Sequence, residues 1–249
     1  MNNVRRKMIC DFIESRQLVT MKDLQKLCPD VSLMTLHRDL DALQEGGAVV
    51  KFRGGARSVR HTGDRSYDVR LQENNQGKML MAQKALKMIR PGCAIFLDAG
   101  TTNLMLAKIL PDINLRVFTT DPSIAVELCR LQQPEITVCC GTINRQNMAI
   151  SGPNTVEMLR NINIDIAFLG VSGCSAEVGF TCGTQADMAV KTTVLSKAKN
   201  KVIMCDNGKF KCLMPYTFAR FSDVDYIVSD GAVPDAVADQ AKANCVTIL

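Results

Sequence analysis

Histidine is scarce in this 249-residue chain: His37 and His61 are the only two. Neither sits near a group of cysteines, and no two of the 11 cysteines stand in a CxxC spacing. An odd cysteine count without framework spacing speaks against both a zinc site and a secreted disulfide scaffold. No segment approaches 18 uninterrupted apolar residues, so no membrane-spanning helix is expected. The opening stretch "MNNVRRKMICDFIESRQ" carries charges throughout and lacks the apolar run of a signal peptide. The expected compartment is the cytoplasm. What the chain does have is apolar material, 47% of its residues, enough for a substantial core. Adjacent Cys139 and Cys140 fall in an apolar, strand-like run and are expected to be buried thiols.

The net charge of +5 is modest but unevenly placed. Residues 1–60 hold 11 Lys/Arg against 7 Asp/Glu, and the remainder holds 19 against 18. The excess positive charge therefore lies at the N-terminus, as an anionic partner there would require. The same segment has short helical periods. "RRKMICDFIESRQ" puts Met8, Ile9, Phe12 and Ile13 on one face. Thr20, three residues before Asp23, begins a second helix in the manner of a capping box, with Leu24 and Leu27 inward. A third helix spaces Leu33, Leu36, Leu40 and Leu43 for burial, with Ser32 as N-cap and Gly46-Gly47 as stop. "AVVKFRGGAR" then alternates and turns, as a small basic β-wing would. Helices two and three read as a helix-turn-helix whose second helix fits the major groove. On its outward side stand Thr35, His37 and Arg38 as candidate base contacts. Lys51, Arg53 and Arg57 on the wing are candidate phosphate contacts. A helical subdomain with a merely charged face fits the same pattern.

The organisation is read as residues 1–57, a polar connection at 58–75, and a second domain at 76–249. In the last, strand-like runs at 93–97, 115–120, 135–140, 164–170, 201–206, 225–230 and 245–249 alternate with helix-like stretches. That alternation predicts an α/β domain with a mostly parallel sheet. Ligands of such sheets bind at the carboxyl ends of the strands. The polar loops that follow the apolar runs are accordingly the places to look.

"DAGTTN" at 98–103 is the sharpest of these loops. Gly100 permits close backbone approach, and Thr101 and Thr102 supply hydroxyls at a helix start, together an anion site. It is neither a P-loop nor GxGxxG, so a nucleotide is not indicated. Lys191 and Lys209 are candidates to complete the pocket. Catalysis stays open as an alternative. Sugar-phosphate isomerisation needs a carboxylate base, and Asp98, Asp187 and Asp206 are available, whereas no Ser-His-Asp or Cys-His set is.

Over nearly its full length the chain resembles a DeoR-family transcriptional regulator. The resemblance rests on "SLMTLHRDLDALQEGGAVVKFRGGA" (32–56), which includes Ser32, and on "DAGTT" (98–102), Thr120, "GTINRQNMAISGP" (141–153) and "IDIAFLGVSG" (164–173). It continues in "GFT" (179–181), Val190-Lys191 and "DNGKF" (206–210). It implies a winged helix-turn-helix joined to a sensor domain similar in fold to ribose-phosphate isomerases and CoA transferases. It further implies a homo-oligomeric, non-catalytic repressor of a carbohydrate-utilisation operon, with no cofactor and no metal, that leaves its double-stranded DNA operator on binding a phosphorylated sugar. By the same resemblance Asp98, Gly100, Thr101, Thr102, Thr120, Lys191 and Lys209 are effector contacts, and Gly141, Arg145 and Gly152 shape the pocket. The runner-up is an isomerase-like enzyme with an appended DNA-binding domain. His37 stands where the family often has a second arginine, which bears on operator sequence. Asp121, Cys140 and Ala186 replace a usual asparagine, glycine and acid, and an inward Asp121 would repel a phosphate.

Overall fold

The computed structural model describes residues 2–16, 18–45, 48–52, 54–58, 67–210 and 212–249. Two compact units divide the chain, Met1–Gly63 and Asp64–Leu249. Gly46, Gly47, Arg53 and His61 lie outside the described residues.

In the first unit, α1 (Asn2–Arg16), β1 (Leu18–Thr20), α2 (Met21–Leu27) and α3 (Leu33–Glu45) precede the hairpin β2 (Val49–Phe52) and β3 (Gly55–Ser58). The three strands form an antiparallel sheet in the order β1-β3-β2. The expected capping box is present: Thr20 accepts from the Asp23 amide at 3.2 Å, and Asp23 accepts from the Thr20 amide at 2.9 Å. Ser32 caps α3 by accepting from the Thr35 amide at 3.3 Å. Ile9, Ile13, Leu24, Leu36, Leu40 and Val49 form the core, with Phe12, Leu27 and Leu43 packed against it. Two residues expected inward are not. Met8 is 42% exposed and Leu33 46%. Ile9 and Ile13, four residues apart, define the buried stripe of α1, and Met8 is turned off it. Leu33 opens α3, ahead of the turn that closes over the core. One polar group is drawn inside. Asp39 is 2% exposed and joins α3 to α1 through Arg5 Nε at 2.6 Å and Arg6 Nε at 2.9 Å. Burial opposes its charge, but the two arginines outweigh it and hold the carboxyl below its ordinary pKa.

The second unit opens with α4 (Tyr67–Gln72) and α5 (Asn75–Leu86). Next come β4 (Ala94–Leu97), α6 (Thr101–Ile109), β5 (Arg116–Thr119), α7 (Pro122–Leu128) and β6 (Glu135–Val138). The hairpin β7 (Thr142–Ile143) and β8 (Ile150–Ser151), α8 (Pro153–Arg160) and β9 (Ile164–Gly170) follow. Then β10 (Gly173–Ser175), β11 (Gly179–Cys182), α9 (Gln185–Lys197) and β12 (Ala198–Met204) lead to β13 (Tyr216–Ala219), β14 (Tyr226–Val228), α10 (Asp235–Ala243) and β15 (Thr247–Ile248). Seven strands make one parallel sheet, β15-β14-β12-β9-β4-β5-β6. Its central strands β4, β9 and β12 are apolar on both faces. Ile95, Leu97, Phe168 and Val202 pack one way, and Phe96, Ala167, Leu169 and Ile203 the other. This two-sided burial is why the runs read as continuous rather than alternating.

Two pieces escape the βα alternation. The antiparallel sheet β10-β11-β13 and the β7-β8 hairpin fill stretches expected as loops. Helix α4 falls within 67–72, inside the stretch expected to connect the domains. Cys140 corrects another expectation: Cys139 is buried, but Cys140 is exposed, because β6 ends at Val138 and the chain has left the sheet. Among the described residues no helix is long and apolar enough to cross a membrane.

Asp39→Asn should lower the stability of the folded chain by about 1.5–3 kcal/mol, the worth of hydrogen bonds to a charged group. Because the native pKa is depressed, this stabilisation is present above about pH 4 and is lost as pH falls through the native value. Urea titrations of wild type and variant that differed equally at pH 7 and at pH 3 would contradict the ion-pair account.

Candidate functional site

Strand order reverses between β4 and β9, since β5 and β6 extend from β4 on one side and β12, β14 and β15 follow β9 on the other. A crevice outside the carboxyl ends of the strands is the usual ligand position at such a point. Asp98 ends β4 there. Its backbone amide donates to Phe168 O at 3.1 Å, and its carboxylate accepts from the Gly170 amide at 2.9 Å, so it ties the two central strands. Lys191 of α9 donates to the same carboxylate and to Gly170 O at 3.1 Å, and pairs with Asp187 one turn earlier at 3.3 Å. Asp98 and Lys191 are 1% and 3% exposed. Burial disfavours the ammonium, but Asp187 and Asp98 outweigh it, and its pKa is raised. Asn103 adds a third tie, its Nδ2 donating to both Asp98 O and Phe168 O at 2.9 Å.

Above this cluster begins α6. Gly100 precedes its first turn at φ +152°, in the region that favours glycine, and Thr101 is buried with Thr102 half-buried beside it. The amides of a first helical turn have no partner inside the helix and favour an anion. Not every amide of the loop is available. The Gly100 N–H donates to Asp121 at 3.1 Å, while the other oxygen of Asp121 caps α7 through the Ser123 amide at 2.8 Å. The Asp121 carboxylate is fully buried and turned to backbone amides, although burial raises its pKa against their pull.

The remaining expected pocket residues divide. Thr120 is buried and shares a small polar hollow with Asn144, Asn147, Thr184 and Asp187. Through Asp187 this hollow joins the Lys191 cluster. Gly141 packs so closely that a Cβ would meet the Thr155 hydroxyl and lie 2.7 Å from Ser151 O. Gly152 (φ +128°) opens into free space. Arg145 is exposed on the β7-β8 hairpin, and Lys209 is half-buried after β12. Ala186 is exposed beside Asp187, and the latter supplies the acid.

Two cations of the first elements of this unit had no signal in the apolar periods. Arg70 of α4 stands beside the DAGTT loop, with its Nη1 3.8 Å from where a Gly100 Cβ would be. Lys78 of α5 is buried and donates to the carbonyls of Arg70 and, at 2.6 Å, of Glu73. Burial pushes the Lys78 amine down to about 8.

In the first unit α3 turns Ser32, His37 and Arg38 to solvent and leaves Thr35 half-buried. Asp39, in the same Arg-Asp-Leu stretch, belongs to the core instead. On the wing, Lys51 is paired with Asp41 of α3, and Arg57 lies on β3 opposite Val50.

A family model described as the DeoR-like helix-turn-helix domain matches residues 5–62, and one described as the DeoR C terminal sensor domain matches 73–231. The chain is 28% identical to the HTH-type transcriptional regulator GlpR of Haloferax volcanii, over 88% of this chain and 86% of the relative. It is 29% identical to the HTH-type transcriptional repressor GlcR of Bacillus subtilis, over 97% and 93%. Among solved structures, ribose 5-phosphate isomerase A of Methanocaldococcus jannaschii is similar over 55% of each chain, at 17% identity and a TM-score of 0.41. A helix-turn-helix unit followed by a parallel α/β unit, each matched by its own model, means that the chain belongs to the DeoR family of helix-turn-helix transcriptional regulators.

Proposed function

We propose that the protein represses a carbohydrate-utilisation operon and leaves its DNA when the crevice beside Asp98 takes a phosphorylated sugar. The observation that carries this reading is the buried Asp98–Lys191–Asp187 cluster beneath the start of α6, at the point where the strand order reverses. A general base has to reach the proton it removes. Asp98 is enclosed and committed to Lys191 and to the Gly170 amide, which suits a fixed electrostatic floor better than a base. The phosphate then sits at the first turn of α6, on its free amides and the hydroxyls of Thr101 and Thr102. Gly100 contributes clearance, since its own amide is held by Asp121. The sugar hydroxyls reach the hollow at Thr120 and Asp187, with Lys209 and Arg145 at the rim and Gly141 and Gly152 shaping the walls.

On the DNA side, Arg38 and His37 are the outward groups of α3 that read base edges, helped by Thr35 and Ser32. Lys51, Arg53 and Arg57 meet phosphates, and Lys51 exchanges Asp41 for one. A two-fold operator calls for a homo-oligomer. Ligand must bind the DNA-free arrangement more tightly than the DNA-competent one to act as a switch. The GlcR relative is named a repressor, which supports that sign of regulation.

Three measurements test this reading. Thermal-shift titration with pentose and hexose phosphates should find one that stabilises the chain by about 2.7 kcal/mol at 100 times its Kd. A silent panel removes the effector assignment, and product formation above a buffer control that Asp98→Asn abolishes restores the enzyme. Arg38→Ala should weaken specific operator binding by about 1–3 kcal/mol and relax one base position; unchanged affinity in a gel shift would remove α3 from the major groove. Asp121→Asn restores the residue common in the family, yet an amide offers one oxygen to two backbone donors. It should therefore cost about 1–3 kcal/mol of stability, and a variant as stable as wild type in urea would show that the second contact contributes nothing.

A further inference from the structure

Arg70 lies in neither matched stretch, between residue 62 and residue 73, and belongs to the first helix of the second unit. We propose that its guanidinium is a direct contact of the effector's anionic group, so that α4 is one wall of the ligand site. The inference rests on the sugar-phosphate reading above and adds a residue and an element to it.

Three observations place the guanidinium. First, it borders the Gly100 turn: Nη1 is 3.8 Å from the position a Gly100 Cβ would take, an ordinary van der Waals distance, so the guanidinium lies directly beside the start of α6. Second, its ring neighbour is fixed. The guanidinium lies 5.9 Å from the centroid of Tyr67, which is 7% exposed, packs in the core and donates its amide to Gln146 O at 2.8 Å. Third, the far end of α4 is clamped. Lys78 sits 5% exposed with its ammonium on the carbonyls of Arg70 and Glu73, where a helix C-terminus favours a cation.

The clamp continues beyond the helix. Asn74, at φ +47°, donates to Asp230 at 2.8 Å, and Gly77 leaves no space for a Cβ between Asn74 and Asp230. Burying a lysine is costly, and burial drives its pKa down to about 8. Here that cost holds one short helix against the edge of the sheet where the anion site lies. A six-residue helix has little stability of its own, so its position depends on these anchors. A planar fork with five donors matches a phosphate bidentately, as the point charge of a lysine does not. Arg70 from one side and the hydroxyls of Thr101 and Thr102 from the other would enclose the phosphate above Gly100.

The test uses the full-length chain and calorimetric titration with ribose 5-phosphate, glucose 6-phosphate, fructose 1-phosphate and fructose 6-phosphate, each beside its unphosphorylated sugar. The phosphorylated sugar that wild type binds should bind Arg70→Ala at least about tenfold more weakly, the scale of a lost charge-assisted hydrogen bond. Arg70→Lys should recover part of the loss, and the phosphorylated-to-free preference should fall in parallel. Arg70 is only half-buried, so both variants should fold, and ligand-free melting points equal to wild type separate a lost contact from a damaged helix. Wild-type affinity in Arg70→Ala, with affinity lost in Thr101→Val, overturns the role of Arg70 and leaves the effector site standing. Tenfold loss accompanied by a lowered ligand-free melting point in both Arg70 variants also overturns it, in favour of a purely structural helix. A wild-type chain that binds no member of the panel overturns the sugar-phosphate reading and this inference with it.

Discussion

The ammonium of Lys191 is the group around which the second unit is organised. It is enclosed between two carboxylates, and one of these also takes the Gly170 amide, so one charge joins β4, β9 and α9. A lone buried ammonium would be expensive, and truncating Lys191 would leave two carboxylates without their shared counter-charge. The cluster also fixes where the sheet can open. Strands on either side of β4 and β9 run outward in opposite order, which is where a ligand crevice usually opens in such sheets. The start of α6, the Asp121 cap and the Thr120 hollow all converge on it.

The first unit uses the same device on a smaller scale. Asp39 binds Arg5 and Arg6 and thereby ties α3 to α1. An aspartate next to Arg38 in sequence thus serves packing, and Arg38 is left for the solvent side. In both units an inward ion pair holds an element that carries candidate binding residues. A small core, nine buried apolar residues among the described ones of the first unit, makes such a tie worth more there.

The pocket's departures from the family pattern take on physical content in this arrangement. Asp121 supplies the oxygens that the Gly100 and Ser123 amides take. Ala186 leaves one acid in its pair, and Asp187 is the one that Lys191 uses. Cys140 stands beyond the sheet, where its carbonyl accepts from Thr155 at 2.6 Å and its side chain is exposed.

Sequence alone determined the alternation of seven apolar strands with helices, the capping box at Thr20, the wing and the loop "DAGTT". These are local matters of period, capping chemistry and turn residues, each decided within a few neighbours. It was also sufficient for the family resemblance, because the signatures are contiguous. Tertiary structure decided what depends on residues far apart. Lys191 and Asp98 are 93 positions from each other, and Arg70 reaches Gly100 from a stretch with no apolar period to mark it. Met8 and Leu33 carry the right residue type but stand off the stripe that packing selects. The direction of Asp121 followed from which amides lacked partners, and only the folded chain shows that. The small antiparallel strands stayed hidden because their own two to four residues are too few to show a period, and β11 finds its second partner, β13, far along the chain.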